Sequence, residues 1–171
     1  PAARRNYLDK LLAATHADYV ETLVQYQRAL KQRNALLADA ARKGGEAKGD
    51  ETRRELQSWN SVLAKNAKLI VEYRQRLERE ISGLFSAAYR GLLSVSPDDD
   101  VSERAAMEYQ SGFISGEAVF SEERIVRELE ENTSRDLRFR STLLGPHKDE
   151  LLIKIDTGSG DKKARQAASQ G

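Results

Sequence analysis

Leu56, Leu63, Ile70, Leu77 and Leu84 recur every seven residues, and such a repeat commits its segment to a long helix with one buried edge. Trp59 and Tyr73 stand three residues after Leu56 and Ile70, while Asn66 and Glu80 break that second row. A seam that is apolar on one side and half polar on the other suits an antiparallel helical hairpin or bundle better than a free parallel zipper. The pattern covers residues 51–95, a helix of about 65 Å at ~1.5 Å rise per residue.

A partner for that helix precedes it. Tyr19, Leu23, Tyr26, Leu30 and Leu37 follow one another at helical spacing over residues 16–43, with one gap at the polar Arg33. Thr15 is placed to cap this helix, with Asp18 in its first turn. Gly44, Gly45 and Gly49 form the turn of the hairpin. A short amphipathic helix over 1–14 gathers Tyr7, Leu8, Leu11 and Leu12 on one face.

Pro97 and Asp98-Asp99-Asp100 end the helical part. Beyond them the pattern predicts a strand over 106–113, a helix from Ser121 to Phe139, a strand over 151–155, a turn over 157–161, and a short strand or loop over 164–168. The expected architecture is therefore mainly α. Residues 1–97 form a long-helix hairpin or bundle arm, and 98–171 a small α/β base whose few strands need further partners.

Charged residues make up 32% of the chain and aromatic ones 6%, a balance that favours exposed, elongated helices over a thick core. The net charge of +1 means that any nucleic-acid contact would need a local basic patch. The absence of cysteine excludes disulfides and thiolate metal sites. No apolar run is long enough to span a bilayer and no signal peptide is evident, so a cytoplasmic location without membrane contact is expected. The chain opens on Pro1 and stops at Ser169-Gln170-Gly171, which reads as a piece of a larger protein.

Few residues announce chemistry. Arg4-Arg5 reads as solvated surface charge, and Tyr19, Tyr26 and Trp59 read as core anchors rather than platforms for stacked bases. In Thr142-Leu143-Leu144-Gly145-Pro146-His147-Lys148-Asp149-Glu150 a Gly-Pro pair precedes a histidine, a cation and two carboxylates. Composition alone makes this a strand entrance. His147 with Asp149 and Glu150 invites a metal, but His16 is the only other histidine and no ligand spacing supports a site. No nucleophile with a general base can be assembled either.

Taken as an ordered set, several stretches resemble the RecF family. Arg4-Arg5-Asn6-Tyr7-Leu8-Asp9 is similar to its Arg-Arg-x-aromatic-Leu-Asp stretch, and the helix closing in Leu30-Lys31-Gln32-Arg33-Asn34 to its Leu-x-Gln-Arg-Asn. Leu56-x-x-Trp59-x-x-x-Leu63 follows, then Thr142-x-x-Gly145-Pro146-His147-Lys148-Asp149, and last Ala168-Ser169-Gln170-Gly171, which resembles the opening of an Ala-Ser-Gln-Gly-Gln signature. The resemblance covers essentially the whole chain. Lys148 and Glu150 stand where the family usually has Arg and Asp, and Arg140 where it often has Gly.

The resemblance implies part of the head of an SMC-like, ABC-type ATPase together with its helical arm. It implies a weak DNA-dependent ATPase that uses ATP and Mg, dimerises on ATP, binds duplex, gapped or junction DNA, and works with RecO and RecR to load RecA in recombinational repair, replication restart and the SOS response. Ser169, Gln170 and Gly171 would serve as the signature that meets the γ-phosphate held by a second copy. Arg4, Arg5, Asp9, Gly145, Pro146, His147, Lys148 and Asp149 are the further motif candidates.

No G-x-x-x-x-G-K-[ST] loop is present, and no apolar strand ending in paired acids follows the signature. The chain alone is therefore expected to have no catalytic residues, no metal site and no ATPase activity. A different reading makes the hairpin a purely structural interaction module of another SMC-like or unrelated protein.

Overall fold

The computed structural model describes residues 2–43, 50–93, 104–113, 120–156 and 162–163. Helix α1 spans Ala2–Thr15, α2 Ala17–Arg42 and α3 Asp50–Leu92. They are followed by β1 (Arg104–Gln110), α4 (Glu122–Glu131), α5 (Thr133–Phe139), β2 (Glu150–Asp156) and β3 (Lys162–Lys163). The expected glycine turn, Pro97, Asp98–Asp100 and the 157–161 turn lie outside the described residues, as do residues 164–168 and the signature Ser169-Gln170-Gly171.

Helices α2 and α3 are antiparallel: Tyr73 bonds Asp18 near the start of α2, and Asn60 bonds Arg33 further along it. Their contact explains both stripes. Leu56, Leu63 and Ile70 are buried with Tyr19, Tyr26, Ala29 and Leu37 of α2. Leu84 breaks the pattern and is 72% exposed, because α2 starts opposite Tyr73 and the last turns of α3 run beyond it. Those turns lie along β1, with the Ser86 hydroxyl donating to the Ala105 carbonyl at 2.7 Å. There α1, α3 and the sheet enclose an open apolar hollow lined by Tyr7, Leu11, Leu84, Phe85 and Ile153.

The α1–α2 corner differs from the expected cap. Thr15 is the last residue of α1, and its hydroxyl bonds back to the Leu11 and Leu12 carbonyls. His16, extended at φ −136°, is the residue before α2 and supplies no side-chain cap.

The helix expected over 121–139 is two helices. Ser121 caps α4 through the Arg124 amide. Asn132 then ends it by turning its amide side chain onto the Glu128 carbonyl at 2.9 Å, and Thr133 bonds Leu129 in the same way. Such local side-chain bonds compete with the helix ladder. Asp136 on α5 is fully buried.

The sheet has the order β1-β2-β3, all antiparallel. Tyr109 pairs with Leu151 and Met107 with Ile153. Leu8 of α1 packs on Met107 and Leu151. The main core mixes Leu12, Tyr26, Leu63 and Ile70 from the first three helices with Phe113, Ile125 and Leu129 from beyond them.

Candidate functional site

The segment 142–149, expected as a strand entrance, is a compact turn that leads into β2 and is held from four helices. Pro146 fits the second position of the Gly145–Lys148 turn, closed by the Lys148 amide on the Gly145 carbonyl at 2.8 Å. Gly145 has φ +138°, and a Cβ there would lie 2.3 Å from the Tyr26 hydroxyl oxygen. Only glycine meets both demands.

Arg33, the apparent gap in the α2 stripe, is the first anchor. It is completely buried. Its guanidinium donates to Asn60 at 2.7 Å, to Asp136 at 2.6 Å and to the Thr142 hydroxyl at 2.8 Å. Asn34 next to it accepts from both the amide and the hydroxyl of Thr142, and Asp136 also accepts from the Leu143 amide. A buried charge is tolerated when it is paired and its remaining donors are satisfied. The Leu-x-Gln-Arg-Asn stretch is thus the socket for the Thr142 end of the turn.

Arg74 of α3 is the second anchor, 2% exposed. It donates to the Pro146 carbonyl at 2.8 Å and twice to Asp9 Oδ1, at 2.8 and 3.1 Å. The Tyr19 hydroxyl also donates to that oxygen. Asp149, 3.8 Å from Arg74, accepts from the Tyr109 hydroxyl and from the Gly112 amide. Burial raises the Asp149 carboxyl above its usual range, against the opposing pull of those hydrogen bonds and of Arg74.

His147 sits between the two anchors. Its Nε2 lies 3.0 Å from the Thr142 carbonyl, which can only accept, so Nε2 carries the proton. Nδ1 then accepts from the Tyr26 hydroxyl at 2.6 Å. Burial pushes the His147 pKa down to about 4, with nearby Lys148, Arg5 and Arg33 adding to the effect and the Thr142 carbonyl opposing it. The ring is neutral at pH 7 with both nitrogens engaged, which leaves none for a metal. Among the described residues, no group of three or more His, Asp or Glu could hold a metal ion.

Arg4 and Arg5 are more than solvated charge. Arg5 donates to the Asp149 carbonyl at 2.7 Å and Arg4 to the Glu150 carboxylate at 2.9 Å, pinning α1 to the entrance of β2. Lys148 is exposed. The structure therefore brings Arg4, Arg5, Asp9, Gly145, Pro146, His147 and Asp149 together, with Lys148 at the surface of the same turn. Sequence reasoning carries Arg33 and Asn34 only as part of a family stretch and not as site residues, and it misses Asn60, Arg74, Tyr109 and Asp136. For Arg74 a signal existed: it falls four residues after Ile70 and three before Leu77, on the apolar edge.

Arg140 adopts φ +53° at the end of α5, a left-handed conformation in which glycine is usual. Its position is where the resemblance has glycine.

No family model matches the chain. It is 33% identical over 177 residues to the DNA replication and repair protein RecF of Prosthecochloris aestuarii, covering 100% of this chain and 43% of that protein. To the RecF of Thermosynechococcus vestitus it is 36% identical over 175 residues, covering 100% and 41%. Its fold matches a solved structure of the recombination mediator protein RecF with ATP, in the RecFOR pathway. The TM-score is 0.75 at 26% identity, with 100% of this chain and 42% of that one covered. The chain thus spans about two fifths of the length of the curated relatives it matches. Matched from end to end in both sequence and fold, it belongs to the RecF family.

Proposed function

We propose that this chain is the helical arm, residues 1–97, and the adjoining lobe, 98–171, of an SMC-like, ABC-type ATPase that acts on DNA in recombinational repair and replication restart. The observation that carries the reading is the convergence of the Arg4–Asp9 and Leu30–Asn34 stretches on the 142–149 turn, in a chain matched throughout by RecF proteins. A solved relative is described with ATP and in the RecFOR pathway, which supports ATP as ligand of the full-length protein and a place in that pathway; loading of RecA with RecO and RecR is the finer part of the proposal.

This chain holds no Walker A loop, so its residues do not form a nucleotide cradle by themselves; ATP and Mg belong to the full-length protein. ATP, when bound there, supplies the γ-phosphate that bridges two copies. The contribution of this chain is Ser169-Gln170-Gly171, whose hydroxyl and backbone amides are of the right kind to receive that phosphate in trans. The two buried arginines make the arm and the turn one rigid piece. Strand β2, which leaves that turn, is followed in the chain by the signature.

The test uses the full-length protein with a gapped duplex oligonucleotide. ATP-dependent dimerisation and ATP-dependent DNA binding are the expected results, and failure to bind DNA under any nucleotide condition overturns the proposal. A Walker A loop encoded upstream and a glutamine directly after Gly171 are expected as well.

A further inference from the structure

Between α1, α2 and the Gly145–Lys148 turn lies a cleft of about 220 Å³, its walls part polar and part apolar. This is smaller than the ~300–1,000 Å³ of sites that enclose a whole small molecule, and of a size for one charged group. The charge of the cleft's acid is paired: Asp9 Oδ1 accepts from Tyr19 and twice from the buried Arg74. Its histidine is neutral and turned inward. Three further side chains bring donors to the cleft. Arg5 uses one Nη on the Asp149 carbonyl, which leaves its other N–H groups. Asn6 and Gln27 line the same cleft, are exposed, and make no side-chain hydrogen bond among the described residues. Lys148 is exposed and follows His147, a lining residue, in the chain.

From this arrangement we infer that the cleft is a phosphate-binding niche, with Arg5, Asn6 and Gln27 as donors and Lys148 on the adjoining turn, and that the phosphate is one of a nucleic-acid backbone. A planar guanidinium beside two neutral amides suits a phosphodiester, and interactions of this kind position a protein on DNA without reading sequence. The inference rests on the proposed DNA-binding function and names a surface for it. The other source of the same chemistry is a nucleotide phosphate, and the test separates the two.

In the full-length protein, Asn6→Glu combined with Gln27→Glu, and separately Lys148→Glu, place negative charge at the cleft without touching the buried networks. Each is expected to weaken binding to a fluorescent gapped duplex about tenfold. The salt slope of binding should also fall, by about one unit for each phosphate that the variant no longer neutralises. Affinity for ATP should stay unchanged. Arg53→Glu, at the far end of α3, makes the same charge change as Lys148→Glu and should leave both readings intact. Unaltered DNA affinity and slope in the cleft variants, in a protein that does bind DNA, overturn the niche. So does an equal loss in Arg53→Glu. Loss of ATP affinity with DNA binding intact overturns the backbone assignment. A full-length protein that binds no DNA at all sinks the proposed function, and the niche falls with it.

Discussion

Tyr26 and His147, 121 residues apart in the chain, are joined by a 2.6 Å hydrogen bond in which the phenol donates to Nδ1. Tyr26 is otherwise a core residue of α2, so the bond fixes the turn to the helical hairpin, and Gly145 is what leaves room for it.

Gly145→Ala is expected to destabilise the protein by about 2–3 kcal/mol, from positive-φ strain and the clash with the Tyr26 hydroxyl. Urea denaturation measures this. Adding Tyr26→Phe removes the clashing oxygen, so the double variant should be destabilised by less than the sum of the two single variants. Full additivity would show that the clash is not the cause.

Removal of one partner of the Arg33–Asp136 pair, both of which are fully buried, should cost about 3–5 kcal/mol. Arg33→Met, Asp136→Asn and their combination form a cycle. The combined variant is expected to be more stable than additivity gives, since no charge is left unpaired. Arg33→Lys should not rescue, because one ammonium cannot reach Asn60, Asp136 and Thr142 together.

His147 gives a pH signature. Its folded pKa, about 4, lies below the ordinary value of about 6.5. In that window the unfolded chain binds more protons, so stability is complete above pH 6.5 and falls as the pH drops toward 4, by at most about 3 kcal/mol. The raised pKa of Asp149 acts in the opposite sense near the acid end. Denaturation midpoints between pH 7 and 4.5 should slope downward in the unaltered protein and less steeply in His147→Gln. Equal slopes would refute the assignment.

Arg140→Gly should stabilise the protein by about 1 kcal/mol, since glycine occupies the left-handed region without a Cβ penalty. A thermal midpoint at or below that of the unaltered protein would contradict this.

For the signature, Ser169→Arg in the full-length protein is expected to keep ATP binding and lose ATP-dependent dimerisation. Light scattering that shows dimers as before would remove the proposed trans role.

The hairpin was legible in the sequence because its stripe and its packing are the same fact: Leu56, Leu63 and Ile70 repeat at the spacing that one helix edge requires. Leu84 belongs to the same repeat, yet nothing in periodicity marks where the partner helix starts. Arg33 read as an interruption because a polar residue on a buried edge looks like a defect until its partners are known, and Asp136 and Thr142 lie more than 100 residues away. The 142–149 segment stood out as unusual, and the motif set pointed to the residues gathered there. Their mutual geometry was not readable, since it depends on Tyr26, Arg74 and Tyr109, which read as ordinary helix and strand residues.

The two arginine sockets also set an order for folding. The α2–α3 hairpin joins near neighbours in the chain, whereas the Arg5–Asp149 and Arg33–Thr142 bonds close loops of 144 and 109 residues. Bonds of such span form late, after local structure has lowered the entropy of closure. On a ribosome, the hairpin can assemble with Arg33 and Arg74 still unpaired with the turn. Until residues 136–149 emerge, Arg33 has Asn60 and Arg74 has Asp9 as partners, and docking of the turn completes both networks as the last step.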